Sequence, residues 1–192
     1  CKKICLCHWK NAYTRGKMNV MKEIGIEKVT LNVGTGKPGP ELEKGKILLQ
    51  KISGLKPSET LTQKRIPTWG LRPNLVIGAK VTLRGEKAKE VLKTLLQAKD
   101  NILPARSFDI YGNFSFGIKE YLDVPTLNYI PEVGIRGFEI AVSLQRKGFR
   151  IKRRTLQKRI IPARHAISKA EAIAFARNTL KITVVEKEEA EE

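Results

Sequence analysis

The sequence is poor in the side chains that build disulfides and metal sites. Its three cysteines all fall within the first seven residues, and an odd number at this spacing forms no disulfide framework. A chain otherwise free of cysteine is typical of a reducing, cytoplasmic compartment. The cluster Cys1, Cys5, Cys7 and His8 does not predict structural zinc, because such sites use two ligand pairs and no second pair follows. We expect no metal and no cofactor.

Histidine is also scarce, which removes most routes to acid–base or nucleophilic catalysis. His8 and His165 are the only two, and no Gly-x-Ser-x-Gly motif occurs. A Walker-type phosphate loop is excluded as well, because Ile47 stands after Lys46 where Ser or Thr is required. The sequence therefore predicts a protein that is not an enzyme.

Long apolar runs and acidic residues are both in short supply. No stretch approaches the roughly 18 to 20 apolar residues that span a bilayer, and no basic amphipathic helix stands beside a lipidation signal. Lys and Arg total 37 against 19 Asp and Glu, so the formal net charge is +18. A field of this sign attracts polyanions. We therefore predict a nucleic-acid partner and no membrane.

The two ends differ in composition from the rest of the chain. We interpret the first residues as a disordered or artefactual leader, with translation starting at Met18 or Met21, or with the leader being an extension of the gene prediction. Five of the last seven residues are glutamate. The predicted division is a leader at 1–17, a single domain at 18–182 with a basic insertion at 145–165, and an acidic tail at 183–192.

Apolar periodicity divides the chain into short strands and amphipathic helices. Alternation predicts strands at 27–33, 60–65, 78–84 and 138–144, and a hairpin at 108–118. Helical spacing predicts helices at 42–54, 86–99 and, behind a capping box, 168–180. This order fits an α+β fold: a two-layer sandwich with a mainly antiparallel sheet, helices packed on one face and an open polar face.

The polar side of three predicted strands carries the strongest functional signal. Short hydroxyl and amide side chains bond ribose 2′-OH groups and phosphates of A-form RNA, while Lys and Arg neutralise charge. An ordinary solvated sheet face has a similar composition, but the net charge favours RNA. The predicted RNA-binding residues here are Lys28, Thr30, Asn32, Thr62, Lys64, Lys80, Thr82 and Arg84.

Residues 145–165 hold nine basic side chains and no acid. Such a run is either a solvated tail or a segment ordered on RNA. The interspersed apolar residues and the capped helix that follows favour the second interpretation. We expect RNA contacts from Arg150, Lys152, Arg153 and Arg154.

The loop at 65–74 places an aromatic residue between two prolines. Trp69, with Arg65 and Arg72 on either side, either stacks on nucleic acid or folds back on the core.

A competing pattern is typical of dinucleotide binding. Gly34-x-Gly36-x-x-Gly39 follows a predicted strand and precedes a helix, with Glu59 about twenty residues beyond. Pro38 and Pro40, however, remove amide N–H groups where a pyrophosphate needs them. We favour a turn made of glycine and proline.

Four segments in order and spacing carry a specific resemblance that covers most of residues 23–180. They are IEKVTLNVG at 26–34, ISGLKP at 52–57, IGAKVTLRG at 77–85 and SFDxxGNFSFG at 107–117. These segments resemble the ribosomal protein L5 family of the large subunit. The basic insertion ending in RHAISKAEA at 164–172 resembles the archaeal type.

The resemblance implies a structural, RNA-binding protein of the cytoplasmic large ribosomal subunit. It implies binding to 5S rRNA and large-subunit rRNA in the central protuberance, beside ribosomal protein L18. It also implies contact with P-site tRNA through the loop at 65–74, by Arg65, Trp69 and Arg72. A general RNA chaperone, which would bind many RNAs alike, stays open as an alternative.

Overall fold

The computed structural model describes residues 19–185. The predicted leader, with its cysteines, and the glutamate-rich residues 186–192 lie outside the described residues. Within residues 19–185, no helix is long and apolar enough to cross a membrane.

The framework is an antiparallel sheet of five strands in the order β2-β3-β1-β6-β5. A separate parallel pair joins β4 to β7. The strands are β1 (Ile24–Gly34), β2 (Ser58–Leu61), β3 (Val76–Leu83), β4 (Ile102–Pro104), β5 (Phe114–Ile118), β6 (Phe138–Arg146) and β7 (Thr183–Val185). The helices are α1 (Pro40–Ser53), α2 (Gly85–Gln97), α3 (Arg150–Arg153) and α4 (Lys169–Phe175), the last continuing as a π-helical turn to Leu180.

The core lies between one face of the sheet and the helices. Val29, Leu31 and Val33 alternate along β1 and are almost fully buried. Leucines at helical spacing on α1 and α2 pack against them, among them Leu48 and Leu92. Burying one such side chain contributes about 1.5–3 kcal/mol, so this alternation fixes which face of each strand points away from the helices.

The end of β6 is tied to α4 through Glu171, which also forms the capping box of that helix. The Ser168 hydroxyl accepts a hydrogen bond from the backbone N–H of Glu171, and the Glu171 carboxylate accepts one from the N–H of Ser168. The same carboxylate lies 2.6 Å from the buried guanidinium of Arg146. This contact fixes the point at which the basic residues of 145–165 leave the sheet.

The fold predicted from sequence is confirmed: α+β, with a mainly antiparallel sheet and helices on one face. The strand predicted at 60–65 lies earlier, at Ser58–Leu61, because the pairing with β3 ends at Leu61 and the chain then turns into the loop that leads to Trp69. β4 and β7 were not predicted, since three residues are too few to show alternation. Residues 183–185, assigned from sequence to the acidic tail, form β7.

Candidate nucleic-acid interface

The sheet face opposite the helices is open and polar along its centre. Antiparallel pairing sets Thr30 beside Thr82 and Asn32 beside Lys80. Lys80 and Thr82 are exposed, whereas Lys28, Thr30 and Asn32 are half-buried. The predicted polar positions of β1 and β3 therefore lie together on one continuous surface, which we call the open face.

The open face extends further than sequence reasoning indicated. On β6, Ala141 pairs with Thr30 and Ser143 with Lys28, and on β5, Ser115 pairs with Ala141. Thr30, Ala141 and Ser115 border a shallow depression of about 510 Å³, together with Asn32 and Gly117. Because these side chains are short, another backbone can approach the sheet closely at this point. Alternation in the sequence predicts which side of β5 and β6 these residues occupy. It does not predict that β5 and β6 extend the sheet beyond β1.

Two acids interrupt this surface. Glu139 of β6 lies next to Asn32, whose side-chain amide donates a hydrogen bond of 3.2 Å to its carboxylate. Glu27 enters the surface through an irregularity in the pairing of β1 with β6, between Ile26 and Lys28. Alternation in the sequence predicts neither the hydrogen bond of Glu139 nor the position of Glu27.

Thr62 differs from its predicted place on the open face. Its side chain is buried, and its hydroxyl lies 2.8 Å from the carbonyl oxygens of both Arg72 and Leu75, to one of which it donates. It is buried because the strand ends at Leu61 and Thr62 begins the base of the next loop. Lys64 lies in that loop and is exposed.

The loop at 65–74 projects Trp69 into solvent. A short 3₁₀ turn at Pro67–Trp69 ends at Gly70, whose φ of 67° suits glycine. Ile66 and Leu71 close the loop with two backbone hydrogen bonds of 3.1 Å. Trp69 is 70% exposed, so the alternative in which it folds back on the core is wrong. Arg65 and Arg72 are exposed beside it.

The basic segment at 145–165 leaves the end of β6 and returns to α4. The exposed side chains of Arg150, Lys152 and Arg153 lie on the short helix α3, and Arg154 follows it. The His165 ring lies 2.9 Å from the carbonyl oxygen of Lys147, which closes the base of the segment. Within residues 19–185, Arg150 and Lys152 have no ion-pair partner, so their charge is free for a ligand.

Comparison with known proteins identifies the family. Residues 19–72 match the family model of ribosomal protein L5, and residues 76–175 match the model for the C-terminus of the same ribosomal L5 family. The chain belongs to the ribosomal protein L5 family. It is therefore a structural protein of the large ribosomal subunit, a cytoplasmic particle, and not an enzyme.

Several archaeal proteins are similar to this chain over most of its length. The chain is 45% identical to the large ribosomal subunit protein uL5 of Sulfurisphaera tokodaii over 170 residues, 88% of this chain and 96% of the relative. It is 44% identical to the uL5 protein of Nanoarchaeum equitans over 166 residues, 86% and 98% of the two chains. The uL5 protein of Thermoplasma volcanium is 41% identical over 169 residues, 88% and 99% of the two chains. The predicted archaeal type is confirmed.

Topology argues against a dinucleotide site in this L5 family member. A dinucleotide fold needs the strand after the first helix to pair in parallel with the first strand. Here that strand, β2, pairs with β3 instead, and both neighbours of β1 in the sheet are antiparallel to it. Glu59, the residue that would meet the ribose, is instead paired with Lys46 of α1 at 2.5 Å.

Proposed function

We propose that this protein binds 5S rRNA through its open face and its basic segment, and thereby attaches that RNA to the large subunit. The proposed contacts on the open face are Lys28, Thr30, Asn32, Lys80, Thr82 and Arg84. Those on the basic segment are Arg150, Lys152, Arg153 and Arg154. We further propose that ribosomal protein L18 is a neighbour and that the loop at 65–74 contacts P-site tRNA.

The observation that carries the proposal is an uncovered surface of short side chains: the hydroxyl groups of Thr30, Thr82 and Ser115, with the methyl group of Ala141 between them. A-form RNA presents a wide, shallow minor groove lined by 2′-OH groups. Hydroxyl and amide groups on this face can follow that groove, because the side chains at these positions are short. The longer Lys28 and Lys80 on the same two strands, and Arg84 after β3, can then meet the phosphates.

The test uses three neutral contacts, so that charge is constant. Alanine at Thr30, Asn32 and Thr82 together should weaken 5S rRNA binding about tenfold or more, which is about 1.4 kcal/mol. Affinity is measured at about 150 mM salt, where screening reaches about 8 Å. An unrelated structured RNA of equal length serves as the reference.

A matched control replaces three exposed neutral residues elsewhere, Gln50, Gln97 and Asn178, by alanine and should leave both affinities unchanged. If the wild-type protein binds both RNAs alike and neither triple variant alters binding, the protein acts as a general RNA chaperone and the proposed site is wrong.

A further inference from the structure

An irregularity in β1 places an acid beneath two arginines. The pairing of β1 with β6 shifts register between Ile26 and Lys28, so Glu27 is the extra residue of a β-bulge. Its side chain is only 14% exposed. One carboxylate oxygen of Glu27 forms ion pairs with Arg84, at 3.5 Å, and with Arg153. We call these three residues the Glu27 clasp.

We propose that Glu27 is a positioning residue that holds Arg84 and Arg153 together as a paired-guanidinium site for one backbone phosphate of the RNA. The inference rests on the proposed function, because it specifies how the open face and the basic segment act on the same ligand. Arg84 follows β3 directly, whereas Arg153 ends α3, so the clasp joins the two parts of the interface.

The charges and exposures of the clasp suit a phosphate. Two guanidinium groups surround one carboxylate, which leaves a net positive charge at the surface. The side chains of Arg84 and Arg153 are 57% and 48% exposed, while the acid between them is nearly covered. Each guanidinium has five N–H donors in a planar fork. Most of these donors stay free for phosphate oxygens, which arginine binds in a bidentate manner.

The position of Arg153 depends on side-chain contacts with the sheet. Helix α3 has four residues, too few to be stable by itself. Arg153 reaches the sheet through Glu27 and through the side-chain oxygen of Gln145, at 3.1 Å. The neighbouring Arg154 instead donates to the carbonyl oxygen of Gln157 within the segment. Removal of Glu27 would therefore release Arg153 before its neighbours.

The sign of the effect separates positioning from charge. Glu27→Gln removes a negative charge from a basic protein, so electrostatics alone predicts equal or tighter RNA binding. Loss of positioning predicts the opposite. We expect Glu27→Gln to weaken 5S rRNA binding about tenfold. The slope of log affinity against log salt should also become shallower by about 0.9, which corresponds to the loss of one phosphate contact.

The control for the acid is Glu43→Gln on α1, which is exposed and far from the clasp; it should bind 5S rRNA as tightly as wild type or slightly more tightly. Arg153→Gln should resemble Glu27→Gln, and the double variant should lose little more than either single variant, because the two residues act through one contact. Arg177→Gln, with the same charge change, controls for Arg153→Gln.

Three results would overturn the proposal. They are Glu27→Gln binding as tightly as Glu43→Gln, an unchanged salt dependence, or full additivity of Glu27→Gln with Arg153→Gln. If Glu27→Gln fails to fold, Arg84→Gln and Arg153→Gln decide instead: each must flatten the salt dependence more than Arg177→Gln does, or the phosphate site is wrong.

The two proposals fail in different ways. If the triple alanine variant of the open face loses its preference for 5S rRNA but the clasp variants match their controls, the proposed function stands and the clasp falls. If the wild-type protein shows no preference for 5S rRNA, the proposed function falls. The clasp is then still decided by the same variants on the unrelated RNA.

Discussion

At the scale of single residues, the pair of Arg146 and Glu171 couples the sheet to α4. Arg146 is 7% exposed, and Glu171 lies 2.6 Å from it. Replacing Glu171 by alanine leaves a buried cation without its partner. Hydrogen bonds to charged groups contribute about 1.5–3 kcal/mol. We expect Glu171→Ala to lower the free energy of unfolding by about 2 kcal/mol near neutral pH, measured by chemical denaturation.

The same pair predicts a dependence of stability on pH. The pKa of Glu171 is lowered below its ordinary value of 4.5, mainly by the hydrogen bond from the backbone N–H of Ser168 and also by the positive charge of Arg146, whereas partial burial opposes the shift. The contribution of Glu171 is therefore present above that ordinary value and is lost as pH falls through its lower folded pKa. The stability difference between wild type and Glu171→Ala should shrink in acid. A stability difference that is constant with pH would contradict this prediction. The control is Glu132→Ala, at an exposed turn, which should change stability by less than about 0.5 kcal/mol.

Individual contact residues differ in how well sequence predicts them. Lys28, Thr30 and Asn32 could be assigned to the open face because a period of two residues fixes which side of a strand is buried. Thr62 could not, since its side depends on where the strand ends. Glu27 shows the same limit, because a β-bulge is set by pairing with β6, which lies more than a hundred residues away in the chain.

At the scale of elements, the loop at 65–74 holds Trp69 outward by its own backbone bonds. The side chain is 70% exposed, so its replacement should change neither the fold nor 5S rRNA binding by the isolated protein. Stacking of a base on an aromatic ring is worth about 1–3 kcal/mol by alanine substitution. Ribosomes that carry Trp69→Ala should therefore bind P-site tRNA at least about fivefold more weakly.

The aromatic control is Tyr111→Ala, at a residue 72% exposed in the separate turn before β5. P-site tRNA affinity is measured on whole ribosomes assembled with each variant. Equal affinity for the Trp69→Ala and Tyr111→Ala particles would mean that the proposed contact of Trp69 with tRNA is wrong.

Element boundaries also explain which parts of the fold were predictable. Helices α1 and α2 carry buried leucines at regular spacing, and α4 carries a capping box, so their positions follow from local sequence. β4 and β7 have three residues each and pair with each other across about eighty residues. Their existence depends on the packed core, and no local pattern reveals it.

At the scale of the whole molecule, free cations lie unevenly about the sheet. On α1 and α2, four glutamates accompany six lysines, and some form pairs such as Lys89 with Glu86 at 2.9 Å. The open face has two acids among the residues named above, Glu27 and Glu139, and the basic segment has none. A protein with this distribution should bind RNA in one orientation, with the helices directed away from the ligand.

Two charge-matched variants test that orientation. One replaces Lys28, Lys80 and Lys152 by glutamine, on the open face and the basic segment; the other replaces Lys44, Lys51 and Lys93, on the two helices. Both remove three positive charges. If affinity followed net charge alone, the two variants would lose the same amount of affinity.

If RNA lies on the open face, each lysine of the first set that meets a phosphate contributes about 0.9 to the slope of log affinity against log salt. We expect the slope of log affinity against log salt to be shallower than that of wild type by about two to three for the first variant, and almost unchanged for the second. Equal slopes for the two variants would mean that RNA is held by the overall field, without a defined binding face.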